Sequence, residues 1–419
     1  MSWLSLQSAF GLMALVAFSW ALSERKGTFS LRQVAGGVAI QIGVALIMLK
    51  LPPARDALLA LNAAVDALTQ ATLAGTGFVF GYLGGGPAPY DVTRPANAFV
   101  LGFQALPLVL VMSALSALLW HWRILPKITQ GFAFLLQKSM GIGGAVGLAS
   151  ASTMFVGMVE APLLIGPYLE RLTRAEMFIM MTVGLASVSG TVLVLYASVL
   201  TPVLPGALGQ IFVASLISLP AGITVARLMV PESEGFSGTH VAHEESLIHY
   251  ESSMDAITRG TVDGLQLLLN ILAMLIVMVA LVALVNIMLA ALPDLWGAPM
   301  TLQRFFGWAF SPVVWCMGIP WNEAQAAGQL MGTKTILNEF IAYINLSQLP
   351  EGTLSPRSSL IMVYALCGFA NLGSVGILIG GLTALAPSRR SDIVKLGTRA
   401  IVSGTLATCM TGAVIGIIT

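Results

Sequence analysis

The sequence predicts an all-α polytopic membrane protein with eight transmembrane helices and two re-entrant hairpins arranged in inverted repeats. Three observations carry this. Of 419 residues, 57% are hydrophobic and 9% charged, whereas soluble domains carry about 25% charge. Eight apolar stretches reach the ~20 residues that a bilayer requires, and two further stretches are apolar but interrupted by Gly, Pro and polar residues. A Gly-rich segment also occurs twice, each time behind one of the broken stretches and a lone acid.

The first span lies in MSWLSLQSAFGLMALVAFSWALSERK. No basic residue precedes its apolar run, as one would in a secretory signal, and Arg25, Lys26 and Arg32 follow it closely. Basic residues gather on the cytoplasmic side, so the N-terminus is expected outside. Further spans are expected at 33–52, 97–121, 175–200, 208–228, 258–292, 357–385 and 393–417. The broken stretches at 130–168 and 301–346 are expected to return to the side from which they enter. Arg123, Lys127, Arg171, Arg174, Arg227, Arg259, Arg389, Arg390, Lys395 and Arg399 then fall inside. Lys50, Arg55, Arg94, Arg304 and Arg357 fall outside, and Lys138 and Lys334 lie within the hairpins. Making either hairpin a full crossing would spoil that asymmetry.

Residues 52–75, PPARDALLALNAAVDALTQATLAG, place Leu and Val on a helical period with Asp56 and Asp66 on other faces. This segment is expected to lie along the outer interface, with a soluble partner helix as the alternative. The polar stretch 231–259 holds His240, His243 and His249. Without Cys or a fuller ligand set beside them, it reads as a solvated cytoplasmic connector and not as a metal site. Cys316, Cys367 and Cys409 stand singly in apolar surroundings, with neither paired nor metal-ligand spacing, and are expected to be small filler.

The chain therefore divides into scaffold helices 1–3 with an interfacial helix (1–128), a first repeat (129–228), a connector and long central helix (229–300) and a second repeat (301–419). A net charge of +1 gives no reason to expect a nucleic-acid partner. An enzyme would need a nucleophile and base, or metal ligands, at bilayer depth. His121 lies at a span's edge and the other three His in a loop, so no catalytic residue and no organic cofactor are expected.

Chemistry enters with Glu160 in FVGMVEAPLL and Glu339 in GTKTILNEFIA. An acid at mid-bilayer costs about 2.5 kcal/mol or more, so each reads as part of a pathway or binding site. The plainer reading is an acid capped by local backbone or lying at a water interface. The repeat weighs against it. GLASVSGTVL at 184–193 matches GFANLGSVGIL at 368–378, with Gly184 over Gly368, Ala186 over Ala370 and Ser187 over Asn371. By the topology above the two copies run in opposite directions. Inverted repeats of this kind build secondary transporters, with substrate and ion sites where helices break at the midplane.

The segment GTKTILNEFIAY followed by GFANLGSVG resembles the concentrative nucleoside transporters. FVGMVEAPLL, GLASVSGTV and the long apolar run at 258–286 fill the corresponding places of that family. The resemblance covers the chain from about residue 97 to its end. It implies an ion-coupled nucleoside symporter working by alternating access, a homotrimer, and a bacterial inner membrane. In the family, the acid of the NEF segment and the Asn and Ser of the seventh span bind ribose hydroxyls; here these are Glu339, Asn371 and Ser374, with Asn338 and Phe369 beside them and Val192 in the first repeat. A carboxylate accepts from two vicinal hydroxyls through charge-assisted bonds.

One motif departs from the pattern. Where the family has Gly-Gln-Thr-Glu for the nucleobase, this chain has Gly157, Met158, Val159 and Glu160. The base, or its substitute, is then expected to be held by apolar contact and Glu160. This leaves a symporter of another polar solute as the alternative, with a channel or receptor behind it. The family's sodium positions correspond to Thr153, Val156, Ser187 and Val188. Thr153 replaces an Asn and offers a shorter oxygen ligand, which tips the expected coupling ion from Na+ toward H+, with Glu160 or Glu339 as carrier.

Overall fold

The computed structural model describes residues 3–28, 30–93, 98–201, 203–232, 248–294 and 299–419. His240, His243, Arg94 and the middle of the expected connector lie outside these residues. All regular structure described is helical: α1 (Trp3–Ala21), α2 (Leu31–Lys50), α3 (Pro52–Phe80), α4 (Leu101–Gln104), α5 (Leu108–His121), α6 (Ile124–Met140), α7 (Gly144–Thr153), α8 (Arg174–Ala186), α9 (Gly190–Leu200), α10 (Ala207–Met229), α11 (Ser253–Leu289), α12 (Leu302–Cys316), α13 (Trp321–Ile336), α14 (Glu339–Ser347), α15 (Pro356–Leu366), α16 (Leu372–Leu385) and α17 (Arg390–Ile418). A 3-10 stretch, Ala161–Arg171, separates α7 from α8.

Two ends of the molecule can be told apart by α1. At one end, Glu24 just beyond α1 meets Arg174 at the start of α8 and Arg399 in α17, and its backbone N–H bonds Met229 at the end of α10. The hydrogen bond from Arg174, with the charges of Arg174 and Arg399, holds the Glu24 carboxyl below the usual carboxylate range. At the other end, Ser8 of α1 meets Arg357 at the start of α15, and Arg357 also bonds Gly416 at the end of α17. Since α8 starts at the Glu24 face and α15 at the Ser8 face, the two repeats are inverted.

Both hairpins return to their side of entry. The turn before α7 and the end of the 3-10 stretch are tied at the Glu24 face, by Arg227 to Met140 and Gly141 and by Arg389 to Glu170 and Leu172. In the second hairpin, Gly318 and Ile319 before α13 bond Arg357 and Gln7, and Ser355 after α14 bonds Glu323 of α13, all at the Ser8 face. The hairpin limbs are shorter than expected, 144–171 and 321–347. The segments ahead of them, α6 and α12, are separate helices, closed off at Gly141 and Gly318 by left-handed backbone. Each lies back along the limb that follows.

Eight helical stretches among the described residues are long and apolar enough to cross a bilayer, but they are not the eight expected spans one for one. The expected span 357–385 is split into α15 and α16, and 175–200 into α8 and α9. At the first break Ser187 and Ser189 are extended and the Val188 N–H goes to Ser215 of α10, and at the second Asn371 caps α16. Conversely α3, about 43 Å long at the α-helical rise, enters the long apolar set. Near its start Asn62 accepts from Gly209 in the first turn of α10, and at its end Phe80 packs on Phe103 of α4 with centroids 5.0 Å apart. Both partners sit where helices start from the Ser8 face, so α3 runs along that face.

Packing separates two bodies. α1 packs on α17 and α2 on α10, and with α8 and α15 they enclose the helix breaks. α5 and α11 form a close antiparallel pair, because Gly260 and Gly264 let α11 approach Ser113 and Leu110 of α5 without side chains between. α8 and α9 are almost wholly enclosed, whereas α11 turns Leu265, Leu269, Ile276 and Leu284 outward.

Candidate functional site

The two breaks meet back to back. A Cβ on Gly368 would stand 2.9 Å from the carbonyl oxygen of Ala186, and Gly404 of α17 has Leu185 and Ala370 on either side of it. The sequence match of Gly184 with Gly368 and Ala186 with Ala370 is thus also a spatial juxtaposition.

Glu339 opens α14 at the tip of the second hairpin and is 3% exposed. One of its oxygens accepts from the Tyr196 hydroxyl at 2.6 Å and the other from Asn371 Nδ2 at 2.8 Å. Asn371 does two things at once. Its Oδ1 accepts from the Ser374 backbone N–H at 2.7 Å, capping α16, while its nitrogen reaches Glu339. Three expected residues, Glu339, Asn371 and Ser374, are therefore joined in one hydrogen-bonded chain. Neutral donors around a carboxylate leave further lone pairs open, which suits vicinal hydroxyls.

Asn338 adjoins this set, but its Oδ1 caps α14 through Ile341 N at 2.9 Å. Phe369 is half-buried against the core, and its carbonyl accepts from Asn371 N at 2.8 Å. Val192 is buried in the first turn of α9.

The first hairpin's tip approaches from the opposite side. Gly157 has φ +115°, a left-handed conformation that favours glycine. A Cβ there would come within 2.6 Å of a Glu160 oxygen and 3.5 Å of Ser189. The Glu160 side chain thus folds over Gly157 beside the first break, and is itself exposed. Met158 packs on Gly184 of α8, and Val159 reaches Gly381 of α16, two turns beyond Ser374. One apolar side chain of the first hairpin, Val159, therefore reaches the helix that Asn371 caps and that carries Ser374.

Of the four expected ion-site residues, Thr153 ends α7 and Val156 follows it at the first hairpin's tip, while Ser187 and Val188 form the first break. Thr153 Oγ1 donates to Ala149 O and Ser187 Oγ to Val183 O, each at 2.9 Å. Val156 N–H is held by Ser152 O. At Val188, the Ser215 hydroxyl of α10 accepts from its N–H at 3.0 Å and donates to its carbonyl at 3.2 Å. Among the described residues no cluster of three or more His, Cys, Asp or Glu could hold a metal.

Three functional neighbours were not singled out from sequence. Tyr196 sits within LVLYAS, where it is the one hydroxylated aromatic in an apolar run. It also stacks on Phe340 at 5.7 Å. Lys334, noted in the sequence as lying inside a hairpin, is fully buried and donates to Ala365 O and Thr408 Oγ1, each at 2.8 Å. Ser215 carries no sequence signal beyond being small and polar.

Comparison with known proteins bears on the assembly. Residues 210–416 match the family profile described as Na+ dependent nucleoside transporter C-terminus, 10–83 its N-terminal counterpart, and 102–203 a profile described as nucleoside recognition. An uncharacterized transporter of Haemophilus influenzae is 35% identical over 98% of this chain and 97% of its own length. The nucleoside permease NupC of Helicobacter pylori is 33% identical over 99% and 97%. Among solved structures, CNTnw in an inward-facing substrate-bound state superposes with TM-score 0.88 at 34% identity, covering 99% of this chain and 98% of that one. An outward-facing variant of CNTnw gives 0.89, again at 34% identity, covering 99% and 97%.

Proposed function

The chain belongs to the concentrative nucleoside transporter family, and on that premise we propose that it is an ion-coupled symporter importing nucleosides or related ribosyl compounds by alternating access. The observation that carries this reading is Glu339, enclosed by Tyr196 and Asn371 between a hairpin tip and a helix break. Glu339, Asn371 and Ser374 receive the ribose hydroxyls. Met158, Val159 and Glu160 face the base from the first hairpin, and Phe369 and Val192 bound the pocket.

The Glu24 face, which carries most of the Arg and Lys residues, is cytoplasmic and the N-terminus lies outside, in a bacterial inner membrane. The moving body is the one that contains both hairpins and both broken helices. α5 and α11 stand against it, and the outward apolar face of α11 supports assembly as a homotrimer. Proton preference, expected from Thr153, gains no support, because the matching profile is described as Na+ dependent. The coupling ion is a cation bound on the Thr153 and Ser187 side. A second reading, a carrier of a different polar solute, is favoured only by Met158 and Val159.

The test is uptake into proteoliposomes by the full chain, with nucleosides competing and Na+ and H+ gradients imposed separately. Competition by uridine or adenosine and stimulation by one gradient are expected. If neither nucleoside competes, the substrate assignment is wrong; if neither gradient drives uptake, the coupling is.

A further inference from the structure

Lys334 is the single lysine or arginine buried among the described residues, and the proposed transport chemistry does not use it. A lysine enclosed at bilayer depth is costly unless its charge is compensated. Its surroundings show how. Lys334 lies in the last turn of α13, and its ammonium bonds Ala365 O in the last turn of α15 and Thr408 of α17. Because α15 stops at Leu366, its final carbonyls have no partner within the helix, and its end carries negative partial charge. Two side chains of the second hairpin take these carbonyls: Lys334 at Ala365 and Tyr343 at Val363.

Among the described residues the other charged side chain acting at this place is Glu339, across the hairpin tip and 3% exposed. The two are not in ion-pair contact, yet in an enclosed site of low dielectric opposite charges attract over longer distances than in water. The other titratable groups facing them are Tyr196 from α9, Tyr343 from α14, Cys367 at the second break and Cys409 of α17. These are neutral in their ordinary state. Removing either charge would leave the other with only its neutral hydrogen-bond partners, Ala365 O and Thr408 for Lys334, Tyr196 and Asn371 for Glu339.

We propose that Lys334 is the standing counter-charge of Glu339: anchored to α15 and α17, it keeps the carboxylate ionised, so that Glu339 meets the sugar as an acceptor without itself taking up a proton or a metal cation. Lys334 is thus a positioning residue acting through Glu339, and the coupling ion binds elsewhere. The inference rests on the reading of Glu339 as the sugar acceptor in its transport consequence, but not in its electrostatic one.

Thermal unfolding of the purified full chain in detergent is compared for the parent protein, Lys334→Met, Glu339→Gln and the double variant. Lys334→Met lowers the midpoint, and adding Glu339→Gln restores the larger part of the loss; additive losses overturn the proposal. If Lys334→Met yields no monodisperse protein, recovery of such protein in the double variant supports the pairing, and its failure counts against it. Uridine affinity is then followed from pH 5.5 to 8.5. The parent and Lys334→Arg stay level, whereas Lys334→Met is weak at the acid end and recovers about tenfold for each unit by which the carboxylate has moved. An affinity reduced equally at every pH marks Lys334 as packing alone and overturns the proposal. Absence of uridine binding in the parent sinks the nucleoside reading and leaves the stability cycle to decide on the charge pair.

Discussion

The Tyr196 hydroxyl donates to Glu339 at 2.6 Å across the junction between a broken helix of the first repeat and the hairpin tip of the second. Hydrogen bonds to a charged group contribute about 1.5–3 kcal/mol. Tyr196→Phe keeps the ring stacked on Phe340 and removes only the donor. It is expected to lower stability by about that amount and to weaken nucleoside affinity about tenfold or more, read by thermal unfolding and by equilibrium binding. An unchanged affinity would place the sugar away from Glu339.

Asn371 separates two functions that a single deletion confuses. Asn371→Asp keeps an oxygen for the Ser374 N–H and so retains the cap of α16, but it turns the donor facing Glu339 into a second acid. Folding is expected to persist while binding is lost. Asn371→Ala loses both and should cost about 1 kcal/mol more in stability from the missing cap. Equal binding by Asn371→Asp and the parent protein would refute the role of Nδ2.

Gly157→Ala introduces a methyl group where φ is +115° and where Glu160 already occupies the space. Strain of about 1–3 kcal/mol follows, concentrated at the first hairpin's tip. Transport should fall while ribose-dependent binding at the second hairpin falls less, since Gly157 touches neither Glu339 nor Asn371. Comparing initial uptake rate with equilibrium affinity checks this; equal losses in both would contradict it.

Met158 and Val159 bring apolar side chains to the place where the base is proposed to lie. Exchanging them together, Met158→Gln with Val159→Thr, supplies hydrogen-bonding groups, and selection by hydrogen bonding is sharper than selection by apolar fit. The ratio of uridine to adenosine inhibition is expected to move about tenfold or more, in a competition assay. A ratio that stays put means that this tip does not read the base.

The Glu24 cluster gives a pH dependence of known sign. Its carboxyl is held below the ordinary carboxylate value in the folded protein, so its contribution to stability is present above that ordinary value and disappears as pH falls through the depressed one. Because the group is largely exposed, the effect is small. Unfolding midpoints measured from pH 3 to 7 should fall less steeply at the acid end for Glu24→Gln than for the parent protein. Parallel curves would dismiss the cluster as a stabilising contact.

What could be read from the chain follows from how strongly each feature constrains the solvent around it. A carboxylate in hydrocarbon is so costly that Glu160 and Glu339 stand out without a structure, and the small-residue segments after them align because both must break at the same place. The limits of the hairpins were harder to see, since α6 and α12 are as apolar on one side as the limbs they cover, and only Gly141 and Gly318 mark where one helix stops and the next begins. Tyr196 escaped because a tyrosine in an apolar run looks like packing until its hydroxyl's partner, 143 residues away, is known. Lys334 was visible as a charge but not as a partner, for its two bonds go to α15 and α17.

Ser215 satisfies both backbone polar groups of one residue, accepting from the N–H of Val188 and donating its own proton to the Val188 carbonyl, and so ties two consecutive peptide groups at the first break. Its oxygen also lies 3.8 Å from the Cys367 sulfur at the other break. The Val188 carbonyl accepts one hydrogen bond from Ser215 and keeps a second lone pair. One small hydroxyl thereby ties the backbone of the first repeat's break to the sulfur at the second's.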